Sequence, residues 1–250
     1  MTAFVGETRF DLFETLDSTS AEARRRAAAG ETGPVWIIAR EQTAGYGRRG
    51  RAWESGAGNF AGTLLFRPDG SVAHQAQLSF VAALAVFDAL EPLARQGALS
   101  LKWPNDVLAG DAKISGLLLE RLDGDGGTVG IGLGVNLIAA PSDLPYPAAR
   151  LIDVMREGLE APTPEEFARS LDRAFRRRYE TWRGDGFAPV RAAWLDRAAG
   201  LGRAITVRLP AEELEGVFDG LDEGGSLVLR QGEEKRIISA GDVFFGASSN

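Results

Sequence analysis

The stretch that decides the fold runs from Leu99 to Leu137 and reads LSLKWPNDVLAGDAKISGLLLERLDGDGGTVGIGLGVNL. Its apolar runs are short and are separated by segments rich in glycine and aspartate, a pattern typical of β-strands. The pattern predicts three strands in close succession, over 99–103, 113–122 and 128–137. Gly110-Asp111 marks the turn before the second of them. We therefore expect a β-sheet in the middle of the chain.

Further strands and helices are predicted before and after this stretch. Asp17-Ser18-Thr19-Ser20 is a helix-start signal, and Gly30 ends the helix that follows it. Short apolar runs predict two buried strands, over 34–40 and 60–66. Three more helices are predicted, over 75–90, 164–183 and 189–198. Together these elements predict an α+β fold, in which a mixed β-sheet is flanked by helices.

The end of the chain has a different pattern. After Gly200, short alternating segments such as AITVRL and SLVLR are separated by Gly, Asp and Glu turns. They predict a small all-β unit that is too small to be very stable alone and docks on the rest of the protein. We expect two domains, residues 1–200 and residues 201–250.

The composition excludes several classes of protein. The chain has 250 residues, enough for a substantial core, and a formal net charge of −7. An acidic chain is a poor general binder of nucleic acids or acidic membranes. The absence of cysteine excludes disulfides, thiolate metal sites and a cysteine nucleophile, and the single histidine, His74, leaves no histidine cluster for zinc.

No export or membrane signal is visible in the sequence. The N-terminal residues lack the basic start and apolar run of a signal peptide. The longest apolar stretch, 78–90, is interrupted by Ser79 and Asp88 and is too short to span a bilayer. We therefore expect a cytoplasmic protein without a membrane partner. The net negative charge also argues against nucleic acid as a partner. For the oligomeric state we expect a monomer or a homodimer.

A loop rich in glycine and arginine, residues 45–51 (the glycine–arginine loop), is a candidate anion site. Gly45-Tyr46-Gly47-Arg48-Arg49-Gly50 matches GxGxxG, but no helical period follows, as a dinucleotide-binding fingerprint requires. Glycine amides and the guanidinium groups of Arg48, Arg49 and Arg51 suit a phosphate or carboxylate, and Trp53 is placed to cover a ring. An ordinary solvated loop is the alternative. We expect the loop to be disordered in the free protein and to close on its ligand.

Lysine is scarce, and its placement is informative. Three of the 28 basic residues are lysines, Lys102, Lys113 and Lys235, and the others are arginines. In Lys102-Trp103-Pro104-Asn105-Asp106 a turn explains the last three residues but not a lysine beside a tryptophan at a strand end. Lys113 opens the next strand, in which Gly116 permits a close approach.

A second glycine motif, Gly130-Ile131-Gly132-Leu133-Gly134-Val135-Asn136, leaves one face of a strand as bare backbone. A flat ligand could lie against that face, with Asn136 at its end as a hydrogen-bonding group. A closely packed helix would fit it equally well. The motif alone does not distinguish the two.

Together these motifs resemble one family. DSTS (17–20), GYGRRGRAW (45–53), KWPNDV (102–107) followed by KISGLLLE (113–120), and GIGLGVN (130–136) occur in the order and approximate spacing of the biotin–protein ligases (biotin–[acetyl-CoA carboxylase] ligases). The β tail is similar to their SH3-like C-terminal domain. Tyr46 departs from the family loop, which usually has arginine there, so we expect Tyr46 to have a packing or ring-covering role. Too few residues precede Ser18 for the DNA-binding domain of the repressor-type members, so the chain resembles the ligase-only class.

The resemblance implies a class II synthetase-like biotin/lipoate ligase catalytic domain followed by a small SH3-like β-barrel. It also implies a two-step reaction. Biotin's carboxylate attacks the α-phosphorus of Mg²⁺-bound ATP to give biotinyl-5′-adenylate and pyrophosphate, and a lysine of the biotin carrier protein then displaces AMP. Two unit charges ~4 Å apart repel by about 4 kcal/mol at an effective dielectric near 20, so the first step needs fixed cations. The candidates are Arg48, Arg51, Lys102 and Lys113.

The resemblance further implies site residues at the matching positions. The biotin site would comprise Ser18, Thr19, Ser20, Gln42, Gly45, Tyr46, Gly47, Arg48 and Lys102. The ATP site would comprise Arg48, Arg51, Trp53, Asn105, Lys113 and Asn136. Arg48, Lys102 and Lys113 would be catalytic, stabilising charge on the carboxylate and the α-phosphate. Asp106 is the candidate Mg²⁺ ligand, although Asp106 and Asn105 could instead orient Lys113.

Other functions remain open at this point. A lipoate–protein ligase shares the adenylation chemistry but has different loop patterns. A non-enzymatic binding module, whose β tail recognises a partner, leaves the placement of arginines and lysines unexplained. A nucleic-acid-binding repressor would need a basic helical arm that this sequence lacks.

Overall fold

The computed structural model describes residues 7–69, 71–124, 127–142 and 144–245. The first sheet is built from β1 (Arg9–Leu16), β2 (Val35–Gln42), β3 (Phe60–Phe66), β4 (Leu99–Lys102), β5 (Asp106–Ala109), β6 (Ala112–Arg121) and β7 (Val129–Val135). The second is built from β8 (Ala204–Arg208), β9 (Glu213–Leu221), β10 (Leu227–Gln231), β11 (Glu234–Ile238) and β12 (Asp242–Phe245). The helices are α1 (Thr19–Ala28), α2 (Val72–Gln75), α3 (Leu78–Leu90), α4 (Leu151–Val154), α5 (Pro164–Asp185) and α6 (Phe187–Leu195).

The predicted α+β fold is confirmed. The first sheet has the strand order β1-β2-β3-β7-β6-β5-β4, with β1 parallel to β2 and the other neighbours antiparallel. The second sheet is antiparallel throughout, in the order β11-β10-β9-β8-β12, consistent with the expected SH3-like unit. None of the helices within the described ranges is both long and apolar enough to cross a membrane.

Most predicted elements are found close to their predicted bounds. β3 has the predicted bounds, whereas the helix predicted over 75–90 begins three residues later, at Leu78, after the separate short helix α2. β1 is a strand that the sequence pattern did not predict. The alternation of Arg9-Phe10-Asp11-Leu12 is broken by Phe13, and the strand lies at the sheet edge, where Leu12 is exposed.

The first sheet buries its two faces against different helices. Val35 and Ile37 of β2 pack against α1 on one face, and their neighbours Trp36 and Ile38 point into the larger core with α3 and α5 on the other. Trp36 also donates a hydrogen bond from Nε1 to Asp172 of α5, over 3.0 Å. Because successive side chains of β2 point to opposite faces, α1 covers one face of the sheet and α3 and α5 cover the other.

The second sheet docks on the first through aromatic contacts and one buried hydrogen bond. Trp103 Nε1, at the end of β4, donates to the carbonyl of Gly225 over 3.1 Å. Trp194 of α6 packs edge-on against both Phe80 and Phe218, at centroid distances of 5.6 and 6.5 Å. The docking places β12 beside the turn that follows Lys102.

Candidate active site

A cavity of about 590 Å³ opens on the α1 side of the first sheet. Its walls come from the glycine–arginine loop, the turn after β4, strands β6 and β7, residues 145–147, and β12 of the second sheet. This volume is in the range of small-molecule and cofactor sites. The cavity gathers twelve of the fifteen predicted site residues: Thr19, Ser20, Gln42, Tyr46, Gly47, Arg48, Arg51, Trp53, Lys102, Asn105, Asp106 and Lys113.

One end of the cavity is neutral and polar. Gln42 Oε1 accepts hydrogen bonds from the backbone N–H of Thr19 over 2.8 Å and from its hydroxyl over 3.1 Å. Thr63 Oγ1 donates to Thr19 Oγ1 over 2.9 Å and lies 3.2 Å from Ser20 Oγ. These buried hydroxyl and amide groups suit an uncharged ring with its own donors and acceptors.

Two predicted residues of this end lie outside the cavity wall. Ser18 is buried at the start of α1, where its side chain accepts a 3.4 Å hydrogen bond from the backbone N–H of Ala21. Gly45 lies behind Gln42, and a Cβ on it would lie 2.7 Å from Gln42 Nε2 and 2.5 Å from the carbonyl oxygen of Trp53. Ser18 therefore caps the helix, and Gly45 keeps space for Gln42.

The other end of the cavity is cationic, and its charges are held by neighbouring side chains. Arg48 Nη1 donates to Asn105 Oδ1 over 3.0 Å, and Asn105 Nδ2 donates to the carbonyl of Leu117. Lys113 Nζ forms a 2.7 Å ion pair with Asp106 Oδ1. Asn105 thus orients Arg48, and Asp106 orients Lys113.

Lys102 is held differently from the other two cations. Its Nζ lies 5.5 Å from the ring centroids of both Phe244 and Phe245 in β12. Among the residues that the structure describes, no carboxylate forms an ion pair with it. Burial lowers the pKa of Lys102. The negative charge of Asp106 raises this pKa and the positive charge of Lys113 lowers it, and the net effect is a lowered pKa. A desolvated ammonium without a counter-ion favours the entry of an anion.

Trp53 covers the bare face of β7. A Cβ on Gly134 would lie 2.1 Å from the Trp53 indole, and a Cβ on Gly132 would lie 2.6 Å from Ser20 Oγ of α1. Both alternatives for this motif were therefore incomplete, because helix α1 packs at Gly132 and a tryptophan of the same chain lies against Gly134. The glycines allow the indole to lie flat against the strand.

Tyr146, which has no sequence signal, also lines the cavity. Lys113 Nζ lies 5.6 Å from the ring centroids of both Trp53 and Tyr146, so two aromatic rings flank this ammonium. Tyr146 stands between two prolines in a segment without helical or strand periodicity, which gave no signal. Asn136 lies beside this group in a small side pocket, where its Nδ2 donates to the carbonyl of Ala149 over 3.2 Å.

Tyr46 lines the cavity and contacts strand β6. Its hydroxyl donates to Glu120 Oε2 over 3.3 Å, and Arg24 of α1 forms a 2.6 Å ion pair with the same carboxylate. Burial raises the pKa of Tyr46, and the negative charge of Glu120 raises it further. Tyr46 thus attaches the start of the glycine–arginine loop to β6.

The rest of the glycine–arginine loop lies over the cavity, and its disorder in the free protein stays a prediction. A short turn spans Arg48–Gly50, and Gly47 N–H donates to the carbonyl of Arg51 over 2.8 Å. Asp242 Oδ2 of β12 accepts from Arg49 over 3.0 Å and from Arg51 over 2.5 Å. Asp242, Phe244 and Phe245 had no sequence signal, because their role depends on docking of the second sheet.

The described residues do not form a metal site of their own. Among them no group of three or more histidine, aspartate or glutamate side chains is placed to hold a metal ion. Asp106, the candidate ligand, is engaged by Lys113. Mg²⁺ usually keeps several waters and takes one or two carboxylates together with substrate phosphates. The donors present therefore fit a metal ion that enters with a nucleotide better than a resident one.

Comparison with known proteins gives consistent matches along the chain. The family model described as "Biotin/lipoate A/B protein ligase family" matches residues 12–136, and that of the "Biotin protein ligase C terminal domain" matches residues 200–246. The biotin–[acetyl-CoA-carboxylase] ligase of Paracoccus denitrificans is 48% identical over 92% of this chain and 98% of its own length. The biotin–[acetyl-CoA-carboxylase] ligase of Mycobacterium tuberculosis is 34% identical over 95% of this chain and 89% of its own length.

The fold has a solved counterpart. A biotin protein ligase from Aquifex aeolicus, in complex with biotin and ATP, superimposes with a TM-score of 0.81 over 94% of this chain and 97% of that one, at 24% identity. At this identity the likeness concerns the fold. The two family models and the 48% identical relative go further, and with them the chain belongs to the biotin/lipoate A/B protein ligase family, among its biotin protein ligases.

Proposed function

We propose that this protein activates biotin with ATP to biotinyl-5′-adenylate and transfers the biotin to a lysine of the biotin carrier protein of a carboxylase. The observation that carries the proposal is the division of one cavity into a neutral hydroxyl–amide end and an end with three converging cations. Biotin has the matching division, with an uncharged ureido ring at one end and a carboxylate at the other. The biotin–[acetyl-CoA-carboxylase] ligase names of the relatives support acetyl-CoA carboxylase as the source of the carrier.

The neutral end would bind the ureido ring. Thr19 and Gln42 supply hydroxyl and amide groups that hydrogen-bond each other, and Thr63 links Thr19 to the hydroxyl of Ser20. These groups hold each other in place before the ligand arrives, so binding fixes few new rotamers. The carboxylate would then extend along the cavity towards Arg48 and Lys102.

The cationic end would carry the first step. Arg48, Lys102 and Lys113 offset the repulsion between biotin's carboxylate and the α-phosphate, and they stabilise the charge that develops on the phosphoryl oxygens. Biotin's carboxylate is already ionised at neutral pH, so the step needs no general base. This agrees with a chain whose single histidine, His74, is exposed and hydrogen-bonded to Ser71.

The adenine would lie beside Trp53, with Asn136 in the adjoining pocket as a hydrogen-bonding partner. Mg²⁺ would enter as part of the nucleotide substrate, held chiefly by its phosphates. We also propose that residues 1–200 form the catalytic domain and that residues 201–250 form a second domain. We further propose a cytoplasmic location, which the need for ATP and for a carboxylase carrier supports.

The second step would use the closed loop to protect the intermediate. The adenylate is a mixed anhydride that water would hydrolyse, so the glycine–arginine loop must cover it until the carrier lysine attacks the carbonyl carbon and AMP leaves. Arg48 and Arg51 lie on this loop, so its closure brings both charge and cover to the phosphate.

One experiment tests the proposed function directly. The protein is incubated with biotin, Mg²⁺-bound ATP and a biotin carrier domain, and the mass of the carrier domain is measured. We expect the mass increase of one biotin and none in parallel reactions with lipoate or without ATP. Modification by lipoate at a comparable rate would favour the related lipoate ligase activity, and failure to modify the carrier at all would refute the proposal.

A further inference from the structure

We propose that Asp242, in the last strand of the second sheet, is a positioning residue that holds the glycine–arginine loop over the cavity. Its Oδ2 accepts hydrogen bonds from both Arg49 and Arg51, at 3.0 and 2.5 Å. Its side chain is 20% exposed, while the two arginines are 43% and 60% exposed. One partly buried carboxylate thus anchors two loop side chains.

The electrostatics of Asp242 support a permanent anionic anchor. Burial alone would raise its pKa, but the hydrogen bond from Arg51 and the charges of Arg51, Arg49 and Arg48 outweigh this effect, and the pKa lies below its usual range. The carboxylate therefore stays charged at all working pH values.

The backbone of the loop shows why an anchor is needed. Arg49 has a φ of 57°, in the left-handed region that L-residues other than glycine adopt at a cost. Its side chain is exposed, so nothing in a packed core holds that conformation. The ion pair to Asp242 fixes Arg49 from outside the loop and offsets this cost.

The same strand also contacts the other end of the cationic group. Phe244 and Phe245 follow Asp242 by two and three residues, and both rings lie 5.5 Å from Lys102 Nζ. The strand β12 therefore positions Arg51 through a carboxylate and Lys102 through two rings. Docking of the second sheet, fixed by the Trp103–Gly225 hydrogen bond, sets the distance between these two cations.

This inference rests on the proposed function for its chemical consequence but not for its structural part. Holding the loop closed keeps water from the adenylate and keeps Arg51 at the phosphates. Without the anchor, the loop opens more often and the intermediate escapes. Protease cleavage of the loop tests the structural part alone, and retention of the intermediate tests the chemical consequence, so the two claims can fail separately.

The first test is trypsin cleavage of the free protein, with fragments identified by mass spectrometry. Cleavage after Arg48, Arg49 and Arg51 reports how often the loop opens. We expect Asp242→Asn to cleave roughly ten-fold faster there, as loss of hydrogen bonds to a charged group would give. Asp242→Glu should restore most of the protection. The matched control is Asp219→Asn, because Asp219 is also paired with two cations of the second sheet, Arg230 and Lys235, and is similarly exposed.

The second test measures retention of the adenylate. Each variant is loaded with biotin and radiolabelled ATP without carrier, and loss of label through a gel-filtration column is followed over time. We expect Asp242→Asn to lose the intermediate at least five-fold faster than the wild type and Asp219→Asn to match the wild type. Wild-type retention and trypsin resistance in Asp242→Asn would overturn the proposal. Tighter ATP binding by that variant would also overturn it, because Asp242 would then compete with the phosphates for the arginines.

Discussion

Replacing Lys102 by methionine should abolish adenylate formation without destabilising the protein. Methionine keeps an unbranched stem against the rings of Phe244 and Phe245 and removes the charge. A unit charge about 4 Å from a phosphate or carboxylate contributes roughly 4 kcal/mol at an effective dielectric near 20. If that interaction is made in the transition state, the loss corresponds to about a thousand-fold in rate.

The stability of this variant provides an independent check. Because burial lowers the pKa of Lys102, the unfolded protein binds more protons than the folded one between that pKa and the ordinary lysine value, and stability rises with pH in this window. At neutral pH the charged ammonium therefore destabilises the fold. Lys102→Met removes this cost and should unfold at the same or a higher denaturant concentration. Lys102→Ala should be equally inactive and also remain folded.

The assay is pyrophosphate release from biotin and ATP, measured before any transfer step. Lys235→Met is the matched control, since Lys235 lies in the second sheet and pairs with Asp219 there. Its release rate should equal that of the wild type. Release by Lys102→Met within three-fold of the wild type would refute the assigned charge role, and loss of stability in that variant would show that Lys102 is structural. In the wild type, release should fall as Lys102 loses its proton, at a lower pH than for an ordinary lysine.

Three further changes test other parts of the site. Biotin with ATP should slow trypsin cleavage of the glycine–arginine loop further, and equal rates with and without ligands would exclude closure on the substrate. Gly134→Ala should displace the Trp53 indole and raise the KM for ATP by roughly ten-fold, in line with the value of aromatic stacking on a base. The control is Gly124→Ala, whose Cβ would meet open space and which should leave the KM for ATP unchanged. Tyr46→Phe should keep the ring and lose the hydrogen bond to Glu120. The KM for biotin should then change less than three-fold, and the thermal unfolding temperature should shift by a few degrees at most. A large rise in the KM for biotin would mean that the hydroxyl contacts the substrate.

The elements that the sequence could predict are those whose signal is local. β3 is a continuous apolar run, and α5 begins with a capping box between Thr163 and Glu166, so both are found where predicted. β1 lacks such a signal, because it is an edge strand whose partner β2 supplies the hydrogen bonds on one side. Its position depends on the assembled sheet.

The same distinction holds for the site. Arg48, Lys102 and Lys113 stand in dense motifs and lie together in the cavity. Sequence spacing could not decide whether Asp106 orients Lys113 or holds a metal ion. The two side chains lie 2.7 Å apart, and the β5–β6 pairing between them contains a bulge that spacing does not reveal. Asp242 lies 191 residues beyond Arg51, and a contact of that kind arises when the two sheets dock.

The placement of the three lysines has a consequence for the chemistry of the protein's own surface. A mixed anhydride acylates neutral amines, and arginine side chains stay protonated and do not react. Lys113 and Lys235 each form a 2.7 Å ion pair, with Asp106 and Asp219 respectively, and Lys102, whose pKa is lowered by burial, lies inside the cavity against the rings of Phe244 and Phe245. An arginine-rich, lysine-poor surface thus offers escaping adenylate few targets. We expect the protein to attach little biotin to its own side chains during long reactions without carrier, because most of its basic residues are arginines rather than lysines.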